Sequence, residues 1–350
     1  MRFGYWTPTM DRWLRNVDET FPIDLAAQQR IARAAERVGF DITLILELNL
    51  SDIGGADGPV LDAWSLASAL GASTEKLEIL AAIRPIHHQP VQLAAKQAAT
   101  LQFLTGGRFG INVVSGWWAE EARQYGVEFA AHDDRYAFTH EYVDALTTLW
   151  RDDVASFDGE FIKFDGTHLQ PKPSPAPHIF AGGESPAGRA SIAQYADSYL
   201  THGGTVEELA EKIADMRARR EATGLTPFRH FGMAAFAIVR YTEEEALAER
   251  DRITNVAEGS PGFESYQDFI SKSELNVNVS LEDYSVSNRG LRPNFVGTPE
   301  QVARRILEFE RVGLDVLLLQ FADPEGDLIR FGEQAIPLVE ELRAAELVSQ

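Results

Sequence analysis

Eight apolar segments with the character of β-strands recur along this chain of 350 residues, and helical segments separate most of them. Segments that are apolar on both faces are typical of a parallel sheet that helices cover on each side. The segments span residues 3–7, 41–47, 76–83, 109–114, 178–181, 198–201, 231–239 and 316–321. This alternation restricts the chain to the α/β folds that contain a parallel sheet.

Eight such units favour a closed barrel over an open, doubly wound sheet. No GxGxxG motif follows the first segment, which disfavours the dinucleotide-binding alternative. An α/β barrel can accommodate a chain of this length as one domain. We therefore predict a (β/α)8 TIM barrel with insertions, in which residues 1–350 form a single domain.

Two regions interrupt the alternation. Residues 157–169 alternate apolar and polar side chains around Asp158-Gly159, which predicts a β-hairpin. Residues 259–291 are polar and weakly periodic, and a loop of that length in a compact domain is usually functional or mobile. We predict that an insertion at about residues 257–291 forms a lid that orders over the ligand site.

Charge and cysteine content exclude several classes of protein. The formal net charge of −21, from 32 basic and 53 acidic residues, disfavours binding to nucleic acid or to an anionic membrane. Without cysteine the chain has no disulfide, thiolate metal site or cysteine nucleophile, and its eight histidines show no metal-binding spacing. No stretch has the length and apolarity of a signal peptide or membrane span, so we expect a soluble, cytoplasmic protein.

The ligand-binding groups of such a barrel lie at the carboxyl ends of its strands. Hydrogen-bonding, charged or aromatic residues follow most of the predicted strands, and we expect them to meet at one mouth of the barrel. In chain order they are Trp6, Glu47, Leu48, residues 84–88 with His87 and His88, Asn112, Trp117, Glu121, Gly183, Ser185, His202 and Gln320.

Two segments have the composition of a phosphate site. Residues 182–185 (GGES) precede a helix, where free backbone N–H groups and the helix dipole suit a phosphate; the alternative is an N-cap with a tight turn. In residues 132–136, Asp133 or Asp134 could cap the next helix, or Arg135 and Tyr136 could reach a phosphate. The residues alone leave both alternatives open.

Other candidate residues also have structural alternatives. The Trp117-Trp118 pair fits core or interface packing as well as the wall of a cofactor site. Arg292 could close over an anionic ligand or pair with a surface carboxylate. Histidines are structural or solvated more often than catalytic, and this alternative applies to His87, His88, His132 and His202.

One strand and the turn after it, GRFGINVVSGW from Gly107 to Trp117, are similar to the strand-four signature of the bacterial luciferase-like flavin monooxygenases. Residues 132–136, 171–173, 181–185 and 296–299 match that family in the same order, so the resemblance covers nearly the whole chain. Within the family, the chain resembles most the branch of dimethylsulfone and alkanesulfonate monooxygenases, with pyrimidine monooxygenase as a neighbour.

The resemblance implies a TIM barrel that takes FMN, as FMNH2, from a separate NAD(P)H:FMN reductase, uses O2, and forms a homodimer or homotetramer. It also implies the roles of several residues. At the cofactor these are Glu47 and Leu48 near the flavin ring, Asn112 as its hydrogen-bonding partner, Glu121 near the ribityl chain, and Arg135, Tyr136, Gly183 and Ser185 at the phosphate. The candidate catalytic residues are Trp6, His87, His88 and Trp117.

The expected substrate contacts depart from the alkanesulfonate branch. That branch has an arginine and a histidine in strand seven, where this chain has Ala234 and Phe236, and a tryptophan after strand six, where it has His202. The departures favour an uncharged, sulfone-like organosulfur substrate that is oxidised with C–S cleavage. Phe236, His202 and Arg292 are the candidate substrate-binding residues.

Three alternative functions stay open. Arg84, Arg289 and Arg292 could bind an anion, as a sulfonate monooxygenase requires. A flavin- or deazaflavin-dependent dehydrogenase could use the same barrel without consuming O2. A protein that binds flavin but has lost its reactive pocket is the third alternative.

Overall fold

Eight parallel strands close into a barrel at the centre of the computed structural model, which confirms the predicted fold. The structure describes residues 1–15, 19–53, 55, 57–272, 279–286 and 289–349. β1 pairs with both β2 and β11, and β8 pairs with β9, so the ring is complete. The strands are β1 (Arg2–Thr7), β2 (Ile42–Ile45), β3 (Glu78–Ile83), β4 (Phe109–Val113), β5 (Ala155–Asp158), β6 (Lys163–Thr167), β7 (His178–Gly182), β8 (Ser198–Thr201), β9 (His230–Val239), β10 (Phe295–Gly297) and β11 (Val316–Gln320).

Helices follow the barrel strands and cover their outer face. They are α1 (Leu25–Arg37), α2 (Ala63–Gly71), α3 (Val91–Leu104), α4 (Ala119–Gln124), α5 (His132–Arg151), α6 (Pro186–Tyr195), α7 (Val206–Thr223), α8 (Glu243–Thr254), α9 (Pro261–Lys272), α10 (Leu281–Val286), α11 (Pro299–Arg311), α12 (Gly326–Gln334) and α13 (Ile336–Ser349). Over the described ranges, none of them is both long and apolar enough to cross a membrane.

Side chains of each barrel strand alternate between the helical layer and the barrel interior. On β3, Ile79 belongs to the large core that the strands share with the helices, whereas Leu80 belongs to the cluster inside the barrel. The interior is tightly filled, since a Cβ added to Gly4 would lie 2.6 Å from the Leu318 side chain. Ligand-binding groups are therefore confined to the strand ends.

Local sequence signals locate several elements correctly. Asp24 caps α1 by accepting a hydrogen bond of 2.9 Å from the backbone N–H of Ala27. Thr298 and Gln301 form a capping box at the start of α11. The predicted hairpin is also confirmed, because β5 and β6 pair in antiparallel fashion.

Two differences from the prediction at element boundaries affect candidate site residues. α5 begins at His132 with Ala131 as its N-cap and no side-chain cap, so the hypothesis that Asp133 or Asp134 caps this helix is wrong. Both aspartates lie in the first turn, where the helix dipole favours negative charge. β2 ends at Ile45, which leaves Glu47 in the loop beyond the strand.

The segment at residues 257–291 contains two helices, α9 and α10, where its polar composition predicted a long loop. Residues 273–278 and 287–288 of the predicted lid lie outside the described residues. β10 follows the segment and extends the sheet beside the upper part of β9. At 3 residues, β10 is too short for an alternating pattern to reveal it. The lid function of the segment stays a prediction.

Candidate active site at the barrel mouth

A buried cluster of charged residues lies beyond the ends of β2 and β3. Arg84 is 2% exposed, and its two terminal nitrogens bind the carboxylate of Glu121, with 3.2 Å between Nη2 and Oε1. The backbone N–H of Arg84 donates to Oε2 of Glu47 at 2.6 Å, and its Nε donates to the same oxygen at 3.4 Å. One arginine thereby joins the β2–α2 loop to α4.

Two histidines complete this cluster. Nε2 of His87 lies 3.8 Å from Oε2 of Glu121, and burial together with the Arg84 charge lowers the pKa of His87, which keeps its ring neutral at pH 7. Nδ1 of His88 lies 2.7 Å from Oε1 of Glu47. Among the described residues this nitrogen has no hydrogen-bond partner, so its approach to Glu47 is a close contact only.

Near the carboxyl ends of β1 and β4, two buried polar atoms have no hydrogen-bond partner among the residues that the structure describes, namely Nε1 of Trp6 and Oδ1 of Asn112. Asn112 faces inward on β4, as does Gly110 two residues earlier, where an added Cβ would lie 2.6 Å from the interior side chain of Leu80. Trp6 packs against the same interior cluster. Because buried polar groups are nearly always satisfied in proteins, an unpaired acceptor and donor in one interior indicate a ligand site.

Tyr136 lies against the first turn of α6. A Cβ added to Gly188 would lie 2.6 Å from the Tyr136 hydroxyl, and one added to Gly183 would lie 3.2 Å from it. Ser185 is the N-cap of α6 and accepts the backbone N–H of Gly188 at 3.1 Å, which confirms its capping role. These residues lie together at the N-terminus of α6, where free backbone N–H groups and the helix dipole suit a phosphate.

Arg135, the residue before Tyr136, contacts the residues that precede α5. Its Nη1 donates to the backbone carbonyl of Ala130 at 2.7 Å, and its guanidinium lies 4.2 Å from the ring centre of Phe129. The structure thus brings Tyr136, Gly183 and Ser185 together. The Arg135 side chain instead contacts the segment that precedes α5.

A second charged cluster surrounds Glu184 at the ends of β7 and β8. Lys212 and Arg289 both pair with its carboxylate, and the Thr201 hydroxyl donates to Oε1 at 2.5 Å. Arg289 is 1% exposed, and a Cβ at Gly203 would overlap its backbone carbonyl. Burial lowers the pKa of Lys212 to about 8, and burial with the nearby Arg292 charge lowers that of Arg289 to about 10.

The predicted substrate contacts surround this second cluster. His202 follows β8 directly, and burial together with the Lys212 charge lowers its pKa to about 4, so its ring is neutral at pH 7. Phe236 is fully buried, and its backbone N–H donates to the carbonyl of Gly290 at 2.7 Å. Arg292 pairs with Glu208, as the surface alternative predicted.

Three further predicted residues have different environments. Trp117 is 48% exposed and stacks on Trp118 with ring centroids 5.7 Å apart, which excludes the core-packing alternative. Leu48 is buried beside Glu47. Glu121, predicted to lie near the ribityl chain, is fully buried, and besides Arg84 it accepts the backbone N–H of Asn49 at 2.5 Å.

The sequence does not predict three contacts at these sites. They are the pairing of Arg84 with a carboxylate, the pairing of Lys212 with a carboxylate, and the tight fit of Gly188 against Tyr136. The position of Arg84, directly after a strand that is apolar on both faces, indicates that its charge is buried. Such a group needs a buried counter-charge.

The closed parallel barrel, with its polar groups collected at the strand ends, is that of an α/β-barrel enzyme. The family model described as luciferase-like monooxygenase matches residues 1–316. The chain therefore belongs to the luciferase-like monooxygenase family.

Two curated relatives share one activity. The chain is 36% identical over 355 residues to the FMNH2-dependent dimethylsulfone monooxygenase of Pseudomonas putida, with 98% of this chain and 96% of the relative covered. It is 34% identical over 353 residues to the enzyme of that name from Pseudomonas fluorescens strain Pf0-1, with the same coverage of 98% and 96%. Among solved structures, riboflavin lyase with modified FMN and riboflavin superimposes with a TM-score of 0.80 at 24% identity, covering 98% of this chain and 92% of the other. This last similarity supports the fold alone.

Proposed function

We propose that this chain is an FMNH2-dependent monooxygenase that uses O2 to oxidise a small, uncharged organosulfur compound of the sulfone class, with cleavage of a C–S bond. The observation that carries the proposal is the pair of unpartnered buried atoms, Asn112 Oδ1 and Trp6 Nε1, in the interior of a barrel of this family. The two dimethylsulfone monooxygenases, similar over nearly their whole length, support the substrate class.

The residues present fit FMN. Asn112 and Trp6 offer an acceptor and a donor inside the barrel, as the polar edge of a flavin ring requires. Gly183, Ser185 and Tyr136 offer a phosphate cradle at the positive end of the α6 dipole. Bound FMN in its reduced form supplies the electrons that activate O2; the protein binds it, orients it and excludes water.

The charges around the barrel mouth favour an uncharged substrate. Arg84, Arg289 and Lys212 are paired with carboxylates of the chain itself, and His202 is neutral at pH 7. A sulfonate would have to share cations that already bind carboxylates of the chain, at a desolvation cost that a sulfone avoids. Ala234 and Phe236 on β9 are apolar and consistent with this choice.

Partner proteins follow from the proposed cofactor cycle. FMNH2 is supplied by a separate NAD(P)H:FMN reductase, and a cytoplasmic location stays a prediction. A homodimer or homotetramer is supported by three large apolar side chains of α3 that are more than half exposed, namely Leu93, Phe103 and Leu104. Sedimentation velocity measures the assembly directly.

Turnover assays with reduced FMN test the function. Dimethyl sulfone, O2 and FMNH2 should yield methanesulfinate, formaldehyde, FMN and water in equal amounts, whereas methanesulfonate should yield no sulfite. Sulfite release from the sulfonate would favour the sulfonate monooxygenase, and product formation without O2 would favour a dehydrogenase. FMN binding without turnover of any organosulfur compound would indicate a silent flavin-binding protein.

A further inference from the structure

We propose that Gln320 binds the substrate in the candidate site, and that its side-chain amide donates a hydrogen bond to an oxygen of the sulfonyl group. The inference deepens the proposed function and rests on it, because it names a residue that recognises the proposed substrate class. The direction of this side chain, its accessibility and its neighbours on the two adjacent strands support the assignment.

The Gln320 side chain points into the barrel. Val316 and Leu318, which precede it at alternate positions of β11, both belong to the cluster inside the barrel. Side chains of a strand alternate between its two faces, so Gln320 faces the same interior. Gln320 is also the last residue of β11, which places its amide at the carboxyl end of the strand, where ligands bind in barrels of this kind.

Gln320 lies between a proposed cofactor residue and a predicted substrate contact. On one side β11 pairs with β1, and the register of Tyr5 with Leu319 puts Trp6 beside Gln320. On the other side Gln320 is in register with Phe236 of β9. Neighbouring strands lie about 4.7–4.9 Å apart, so a small molecule that contacts the amide would lie within reach of both Trp6 and Phe236.

There is accessible space in front of this amide. Beyond their first residues, β1, β9 and β11 each have a single residue that is not fully buried, namely Trp6, Ala234 and Gln320. Ala234 faces inward, as does Gly232 two residues earlier, where an added Cβ would lie 2.3 Å from the interior side chain of Leu200. The three accessible residues therefore line one part of the barrel mouth, and the short side chain of Ala234 leaves room there for a ligand.

A cluster of apolar side chains covers this space from above. Phe236, which follows Ala234 on the same face of β9, is fully buried and packs in a cluster with Leu14 of the β1–α1 loop and with Leu291. The backbone N–H of Phe236 also donates to the carbonyl of Gly290 at 2.7 Å. The cover above and the filled interior below restrict the space in front of the amide, which favours a compact substrate.

A sulfone matches an uncharged donor at this position. A sulfonyl group has two oxygen atoms that accept hydrogen bonds and no group that donates one. The Gln320 amide offers two N–H donors without a charge, and over the ranges that the structure describes no group of the chain bonds to it. An anionic sulfonate would gain no counter-charge from this amide. The edge of a flavin ring also offers acceptors, so the affinity for FMN separates the two roles of the amide.

Kinetics of Gln320→Met test the assignment. Methionine has a similar length but no hydrogen-bond donor, so kcat/KM for dimethyl sulfone should fall about 5- to 100-fold, mainly through KM, with oxidised-FMN affinity unchanged in fluorescence titrations. Gln320→Glu places an anion that only accepts hydrogen bonds against the sulfonyl oxygens, and it should lower kcat/KM further than Gln320→Met. Gln194→Met removes an exposed glutamine near the end of α6 and should behave as wild type.

The outcomes separate this inference from the proposed function. An unchanged kcat/KM in Gln320→Met, while the wild type oxidises dimethyl sulfone, overturns the inference alone. An FMN affinity that falls about 10-fold or more in Gln320→Met also overturns it, because the amide then binds the flavin. Activity of Gln320→Glu equal to that of Gln320→Met excludes the donor role. A wild type that binds FMN without oxidising dimethyl sulfone overturns the proposed function, and the assignment of Gln320 falls with it.

Discussion

Replacing Arg84 by methionine should destabilise the whole protein. The guanidinium is the shared counter-charge of Glu47 and Glu121, whose side chains are 5% and 0% exposed. Methionine has a similar length but no charge and no donor. Arg84→Met therefore leaves two buried carboxylates without a cation, at the junction of the β2–α2 loop, β3 and α4.

The magnitude follows from the burial of these groups. Removing one partner of a buried ion pair typically costs about 3–5 kcal/mol, because the remaining charge stays desolvated. Against a typical unfolding free energy of roughly 5–15 kcal/mol, such a loss is large.

Urea unfolding followed by tryptophan fluorescence measures the effect. The double variant Arg84→Met/Glu121→Leu should be more stable than Arg84→Met, since exchanging a buried ion pair for apolar side chains is often neutral. Arg123→Met, which removes an exposed arginine from α4, is the matched control and should leave the unfolding midpoint unchanged. A loss of less than 1 kcal/mol in Arg84→Met would refute the reasoning.

Three further predictions concern the proposed phosphate site at the start of α6 and the amino-terminal end of β3. Ser185→Ala combined with Arg135→Ala should weaken oxidised-FMN binding about 10- to 100-fold in fluorescence titrations, because a hydrogen bond to a charged group contributes roughly 1.5–3 kcal/mol. Unchanged affinity means that the phosphate binds elsewhere. Gly188→Ala should lower FMN affinity by displacing the Tyr136 hydroxyl, which lies 2.6 Å from the new Cβ. The double variant Gly188→Ala/Tyr136→Phe should recover part of the loss. A Gly188→Ala variant with wild-type affinity contradicts this packing argument. Burial raises the pKa of Glu78, but a histidine hydrogen bond and an arginine outweigh burial and lower this pKa below 4.5. The contribution of the Glu78 carboxylate to stability is therefore present at neutral pH and is lost as pH falls through the lowered pKa. The stability difference between wild type and Glu78→Gln should therefore disappear in acid, and a constant difference from pH 7 to pH 3 would contradict this assignment.

The sequence predicts the barrel and part of the site because both depend on local patterns. Apolar strand segments and cap residues such as Asp24 are readable over a few positions, and the eight strands follow from them. Tyr136 and Ser185 could be brought together only by assuming one ligand for both, an assumption that their contact through Gly188 supports. No local pattern indicates that Arg84 pairs with a carboxylate 37 residues away on α4. That pairing depends on how two strand-end loops pack on one another.

The two charged clusters explain how a strongly acidic protein can have a nearly neutral barrel mouth. On one side Arg84 neutralises Glu121 and fixes Glu47; on the other side Lys212 and Arg289 converge on Glu184. Each cation is used within the chain, so the interior between the clusters presents apolar walls and single unpaired hydrogen-bonding atoms. An interior of this kind discriminates by shape and hydrogen bonding, because a free anion loses its hydration and meets only cations that already bind carboxylates. Selectivity for a neutral sulfone would then require both clusters to stay intact, and releasing a cation from either one should increase the binding of sulfonates.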